Sequence, residues 1–485
     1  MTPSPTSSLP AARALPNVAW AVGGALVRYA LAALTTLALT HLLTPRDFGL
    51  VAITALAQLL IAHVLPVGFH DALIQHPRLD GDALDAAFWS LLGLSGAALL
   101  LSALLAPSVA AAFGHPVLAA LLIATVGAAS LRALSTVPRA LLARRMDFRT
   151  LIGARLAGQA LGSVAAITLA LVGAGVWSLL AQIALTHAVS GIIAARATSW
   201  RPRPHLPRAA LQHVWAFAPS VSLFTALSYV ITRADDLLIG YRLGAEQLGY
   251  YALAYALMAW VVQDVLGAAA TVLYPILARQ QDDLPRLRQT YLFSLSLAAW
   301  FAYPTLVLLA VTMPVGVRVV LGTRWLPLVL PAQILALAGL REAGGMFNGG
   351  VYRALGRPHL HTLLGLVSAP CYVLAYFVGV DYGIAGVAFF FLLTSLLWQP
   401  AAWWLLWRAS GVTLGAWWRS VRSAAGAAVL VGTVATLILY FTRSAPDGLR
   451  LFLALGSGAA VLVKLRGRKV LGALREYVQS SALLG

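Results

Sequence analysis

Long apolar runs alternate with short, arginine-rich breaks along this chain, and window after window holds about 20 residues without a charge, enough to cross a bilayer core as a helix. The pattern predicts about 14 helices, near residues 18–41, 48–68, 86–112, 116–137, 151–172, 175–196, 211–238, 248–275, 291–313, 326–348, 359–379, 383–407, 417–441 and 449–464. The breaks between them are too short for a soluble domain. Residues 1–17, rich in Pro and Ser, read as a disordered N-terminal segment. The apolar stretch after Arg13 is longer than the core of a signal peptide, so it reads as a retained first helix.

The chain also echoes itself. Residues 40–52 (THLLTPRDFGLVA) match residues 240–252 (GYRLGAEQLGYYA) at Leu43/Leu243, Gly49/Gly249 and Ala52/Ala252. A second echo aligns Arg132 with Arg341 and Arg139 with Arg353. Helices 1–6 then repeat as helices 7–12, and an even number per repeat makes the two copies parallel. The expected fold is an all-α integral membrane protein with two six-helix lobes, residues 18–208 and 209–408. Two extra C-terminal helices (409–465) and a cytoplasmic tail (466–485) complete it.

Composition agrees with that pattern. Hydrophobic residues make up 60% of the chain and charged residues 10%, with a mean hydropathy of +0.83. A net charge of +18 would suggest a nucleic-acid partner in a soluble protein. Here it follows the positive-inside rule instead. Even-numbered connections and the termini carry roughly 23 cationic residues against roughly 6 in the odd-numbered ones, which places both termini in the cytoplasm. No nucleic acid is expected.

Within the apolar runs a few charged residues stand out, because burying a charge in a bilayer is costly unless it serves a cavity or a partner. Arg28, Arg155, Arg233 and Arg341 form the candidate site for an anionic cargo. Arg28, ten residues into the first predicted helix, falls near mid-bilayer, and either faces a cavity or pairs with an acid such as Asp264. Arg233 precedes Asp235 and Asp236, which offer it a local ion pair. Arg155 stands one turn inside its helix. Asp264 and Glu342 are the candidates for ion coupling, since a cation offsets the cost of a buried carboxylate. No catalytic residue is expected: the chain has no HExxH, Walker A or GxSxG motif. Its single cysteine, Cys371, and the lack of metal-ligand spacing point to no metal and no cofactor.

Several patches then carry a resemblance, in order along the chain: LTPRDFGLVAI (43–53), GFHDALIQHPRLDGDALDAAFW (68–89), VPRALLARRMDF (137–148), GAGVWSLL (173–180), TRADDLLIGYRLGAEQLGYYALAY (232–255), LYPILARQQDD (273–283) and YRALGRP (352–358). Together they resemble the polysaccharide (O-antigen/exopolysaccharide) repeat-unit flippases of the multidrug/oligosaccharidyl-lipid/polysaccharide exporter superfamily. The resemblance implies two lobes around a V-shaped central cavity, alternating access, and an undecaprenyl-pyrophosphate-linked oligosaccharide as cargo. It also implies a multi-pass location in the bacterial cytoplasmic (inner) membrane, with Arg28 and Arg233 facing the cavity. The expected partners are that lipid-linked oligosaccharide, membrane lipids and a polysaccharide polymerase/export complex, with the chain itself a monomer. A lipid II flippase and a drug/cation antiporter are the nearest alternatives. A membrane glycan polymerase or ligase is disfavoured, because no outer loop is large enough for catalysis.

Overall fold

The computed structural model describes residues 11–59, 69–70, 73–74, 81–204 and 233–482, and every regular element among them is helical. Nine helical segments among the described residues are long and apolar enough to cross a membrane. The expected helix at 211–238 and the second half of the one at 48–68 lie largely outside the described residues. Packing divides the chain into two compact units, residues 1–249 and 250–485; residues 234–249, expected in the second lobe, pack with the first.

In the first unit the helices are α1 (Ala11–Leu42), α2 (Pro45–Leu59), α3 (Gly81–Ala112), α4 (Val117–Leu134), α5 (Thr136–Arg144), α6 (Phe148–Leu171), α7 (Val176–Arg196) and α8 (Ala234–Arg242). Their ends follow local chemistry. Asp147 caps α6 by accepting from the Thr150 amide at 3.0 Å. Gly114, at φ 69°, turns the chain between α3 and α4, and Gly173 and Gly175, at φ 82° and 55°, turn it between α6 and α7.

Lipid tails are as apolar as leucine, so close approach between small residues does much of the holding. Gly158 and Gly162 of α6 stand against Thr186 of α7, which sets that pair antiparallel. The α1–α6 pair is parallel and in constant register. Gly24 meets Ile152, the Thr35 and Ser163 hydroxyls bond at 2.8 Å, and Leu39 and Leu43 pack with Ala166 and Ala170. A tighter crossing joins Pro45–Gly49 to Ala245–Gly249. A side chain on Gly49 would run into the Ala245 carbonyl, and one on Gly249 into the Pro45 carbonyl. The two glycines matched in the sequence echo thus face each other reciprocally, the arrangement a local two-fold axis produces.

From Tyr250, within α9 (Ala245–Ala259), the second unit continues through a π-helical segment (Trp260–Leu266) and α10 (Gly267–Ala278), then α11 (Leu284–Gly316) and α12 (Val329–Gly345). It ends with α13 (Asn348–Ala354), α14 (Pro358–Gly379), α15 (Gly383–Leu397), α16 (Gln399–Ser410), α17 (Leu414–Phe441) and α18 (Asp447–Ala482). Gly379 packs on the backbone of Gly386 and Val387 across the α14–α15 turn, and Gly383 makes that turn at φ 73°. α18 runs on as helix to Ala482, where a tail was expected from 466, since no Pro or Gly-rich break interrupts it. In both units a long helix ending near an arginine (Arg132, Arg341) is followed by a short one holding another (Arg139 in α5, Arg353 in α13).

Candidate functional site

Helix register decides which predicted residues meet. Gly24, Arg28 and Thr35 lie at i, i+4 and i+11, on the face of α1 that meets α6. At the register set by Gly24–Ile152 and Thr35–Ser163, Arg28 stands level with Leu156, about 1.5 Å of rise from Arg155. The two arginines therefore flank one seam at one height and within electrostatic reach of each other. That height is about 10 Å past the first residue of the 24-residue α6. Arg155 is exposed and Arg28 half-exposed, with the Arg28 guanidinium 4.3 Å from the Tyr29 ring.

The other two predicted arginines have neighbours of their own. Arg233 donates to Asp236 Oδ2 at 3.0 Å, so the local ion pair offered by the sequence is formed. Asp236 is 7% exposed, and its amide donates to Asp235 Oδ1 at 2.9 Å. In the second unit, Arg341 Nε donates to Gln399 Oε1 at 2.7 Å, and Gln399 is only 8% exposed.

Asp264 lies in the π-helical segment, a distortion that is frequent at functional sites. Met258 packs on Gly339 and Gly267 on Met346, so this stretch runs parallel to α12. Asp264 falls between those contacts, at the height of Glu342 and Gly344. Arg341, Glu342 and Asp264 thus occupy one level of the second unit, with Tyr372 of α14 within electrostatic reach of Arg341 and Glu342. Below them the Trp417 indole donates to the Gly344 carbonyl at 3.1 Å, and the Tyr291 hydroxyl to Asn348 Oδ1 at 2.7 Å.

Two arginines not singled out from the sequence join the first group. Arg132, at the end of α4, and Arg139, in α5, are within electrostatic reach of each other, and Arg139 is within reach of Arg155. The alignment of Arg132 with Arg341 was the sequence signal for this position; Arg139 was hidden because it read as part of a cytoplasmic loop. Among the described residues no carboxylate lies within ion-pair distance of Arg28, Arg139 or Arg155. No group of three or more His, Cys, Asp or Glu residues suited to a metal ion occurs among the described residues.

Comparison with known proteins adds to this geometry. Residues 38–330 match the family model described as "Polysaccharide biosynthesis protein". The chain is 27% identical over 314 residues to the succinoglycan biosynthesis transport protein ExoT of Rhizobium meliloti (strain 1021), covering 64% of this chain and 63% of ExoT, so it spans just under two thirds of that relative. It is 23% identical to the lipopolysaccharide biosynthesis protein WzxC of Escherichia coli (strain K12), with 74% of each chain covered. Among solved structures, the lipid II flippase MurJ in an inward closed conformation aligns with TM-score 0.63 at 13% identity, covering 89% of this chain and 98% of that one. An inward-facing multidrug resistance MATE family transporter aligns with TM-score 0.64 at 16% identity, covering 80% and 98%. Both structural likenesses speak for the fold.

Proposed function

We propose, since the chain belongs to the polysaccharide biosynthesis protein family matched over residues 38–330, that this multi-pass membrane protein is a flippase. Its cargo is an undecaprenyl-pyrophosphate-linked oligosaccharide repeat unit, moved by alternating access from the cytoplasmic to the outer leaflet of the bacterial inner membrane. The named relatives support this reading, one being a succinoglycan transport protein and another a lipopolysaccharide biosynthesis protein. The protein acts as a transporter and makes or breaks no covalent bond.

The observation that carries the proposal is the Arg28–Arg155 pair. Two guanidinium groups at one height, on parallel helices and without a carboxylate partner among the described residues, match the two adjacent phosphates of the lipid carrier. Arginine keeps its charge and can grip phosphate oxygens in bidentate fashion. A pyrophosphate bound there relieves the repulsion between the two cations, so the cargo supplies the counter-charge that the helices lack. The polyprenyl tail can remain in lipid, and only the head group and sugars need a wet, cationic path.

Arg233 and Arg341 belong to later points on that path. Each is held by a neighbour it can exchange for a passing phosphate: Asp236 for the first, Gln399 for the second. To Asp264 and Glu342, level with each other in the second unit, we assign the coupling cation, H⁺ or Na⁺. Both termini lie in the cytoplasm on the charge asymmetry of the connections.

The test is reconstitution of the purified protein in liposomes with a fluorescent undecaprenyl-pyrophosphate oligosaccharide, followed by exposure of the label in the opposite leaflet. The proposal expects protein-dependent exposure that Arg28→Ala abolishes. Expulsion of a cationic dye with no movement of the lipid-linked glycan would overturn it.

A further inference from the structure

At the corner where α16 meets α17, the second unit has arginines that the fold leaves without a counter-charge. Gly411 makes the corner at φ 72°, and Thr413 caps α17 by accepting from the Ala416 amide at 3.2 Å. Beyond Arg422 the chain carries no charge as far as Phe441, about 28 Å of helix, close to the thickness of the hydrocarbon core. Arg419 and Arg422 therefore stand at the level of the lipid head groups.

Tryptophans line a groove of about 190 Å³ at this corner, Trp403, Trp404 and Trp407 from α16, with Leu414 and Trp417 from α17. Trp404, Trp407, Leu414 and the adjoining Trp418 are each at least half exposed, so the corner presents an apolar surface to its surroundings. The Trp403 and Trp417 rings lie 5.2 Å apart, and the Trp417 indole is tied to Gly344 of α12. Trp403 Nε1 is buried without an acceptor, a cost that an incoming oxygen would remove.

Cations rim the groove. Arg408 stands one turn along α16 from Trp404, its guanidinium 6.0 Å from that ring. The Arg419 guanidinium turns back toward the corner, 3.9 Å from where a Gly415 side chain would begin, and Arg422 follows on the same face. All three arginines are exposed, and among the described residues none forms an ion pair or donates a hydrogen bond. No acid occurs between Asp381 and Asp447. Asp283, at the start of the neighbouring α11, is engaged as its cap, accepting from the Arg286 amide at 3.1 Å.

We propose that this corner is a binding site for an anionic glycerophospholipid of the surrounding membrane. The phosphate sits among Arg408, Arg419 and Arg422, and the upper part of an acyl chain enters the tryptophan groove. Both halves of the ligand are matched: a soluble anion would leave the groove unused, and a zwitterionic lipid would bring its own cation to three arginines. The bound lipid joins α16 to α17 and, through Trp417, to the end of α12. This site is separate from the Arg28–Arg155 pair and stands whatever cargo that pair receives.

The test titrates the purified protein in detergent micelles with dioctanoyl phosphatidylglycerol or dioctanoyl phosphatidylcholine. Bound lipid is counted by native mass spectrometry while the melting temperature is followed. Wild type is expected to prefer phosphatidylglycerol at least tenfold and to melt later as that lipid is added. Arg408→Gln/Arg419→Gln/Arg422→Gln should lose the preference, whereas Arg408→Lys/Arg419→Lys/Arg422→Lys should keep most of it, since a head group at the surface responds to charge. Trp403→Phe keeps a ring in the groove and removes the N–H, and should weaken binding about fivefold. The lysine and phenylalanine variants keep the test decisive if the glutamine variant fails to fold.

Equal binding of the two lipids by wild type would overturn the proposal, as would a preference that survives in the glutamine variant. So would undecaprenyl phosphate displacing phosphatidylglycerol at equal concentration, which would give the groove to the carrier of the cargo. The flippase reading is judged separately, by movement of the lipid-linked glycan.

Discussion

The arginines of the two units live under different rules. In unit 2 five of them have an acceptor supplied by the fold. Arg341 has Gln399, Arg288 has the Ser410 carbonyl, Arg353 has the Gly349 carbonyl and the Tyr274 ring, and Arg318 and Arg450 share Asp447. In unit 1, Arg28, Arg139 and Arg155 stand with like charges as neighbours. A cation that the fold neutralises holds helices together. A cation left without a counter-charge stores a cost that a ligand can remove. The difference separates arginines that serve the scaffold from those poised for an anion, which their similar setting in apolar helices does not reveal.

Replacing both Arg28 and Arg155 with Ala should break the comparison most sharply. Transport of the lipid-linked glycan should fall by at least a hundredfold, about 2.7 kcal/mol, while thermal stability in detergent stays the same or rises. A double variant that unfolds would show that these cations are structural after all. Arg341→Ala should differ in lowering stability as well as the later steps of transport. It leaves the nearly buried Gln399 carbonyl oxygen without its donor, at a cost of about 1–3 kcal/mol in stability, readable as an earlier unfolding midpoint in urea titrated into detergent micelles. Unchanged stability there would remove Arg341 from the scaffold.

A smaller effect sharpens the same contrast without touching the helices. Inorganic pyrophosphate should raise the melting temperature of the wild type, because a ligand that binds only the folded state stabilises it; at ten times its dissociation constant the gain is about 1.4 kcal/mol. That shift should vanish in the Arg28→Ala/Arg155→Ala variant and persist in Arg341→Ala. Loss of the shift in Arg341→Ala alone would move the primary anion site to unit 2.

Most of the helices were legible in the sequence, because apolar length and the absence of charge are what both a bilayer and a hydropathy window register. Helix α6, predicted at 151–172, spans 148–171, and α17, predicted at 417–441, spans 414–441. What the windows missed were additions with little apolar signal: α5 and α13, short helices carrying Arg139 and Arg353, and the charged continuation of α18. The site was legible residue by residue and illegible as a set. Arg28 and Arg155 each stood out as a charge in an apolar run. Their common height depends on the α1–α6 register, fixed by Gly24, Thr35 and Ser163, residues with no periodic signature of contact. Arg139 escaped for the reverse reason: it resembles the many arginines of cytoplasmic connections, and only its reach to Arg132 and Arg155 sets it apart. The π turn around Asp264 left no mark in the sequence either, since it reflects how α9 and α10 fit against α12.

The smallest expected effect tests whether missing compensation is a property of all of unit 1 or of Arg28, Arg139 and Arg155 alone. Arg46, beyond the end of α1 far from these three, is compensated: its guanidinium donates to His115 Nδ1 at 3.1 Å, in the turn between α3 and α4. That bond needs a neutral imidazole with its proton on Nε2. Partial burial and then the Arg46 charge hold the His115 pKa below its ordinary value of 6.5. Because the folded value lies below the unfolded one, the contribution is present above about pH 6.5 and is lost as pH falls through the lowered folded value. His115→Gln offers a carbonyl acceptor at every pH and should flatten this dependence. The melting temperature of wild type should therefore drop more than that of His115→Gln between pH 7.5 and pH 5, by a margin kept small because the imidazole is only partly buried. Identical slopes for the two proteins would mean that Arg46 needs no partner either. Arg28, Arg139 and Arg155 would then lose their claim to be set apart for an anion.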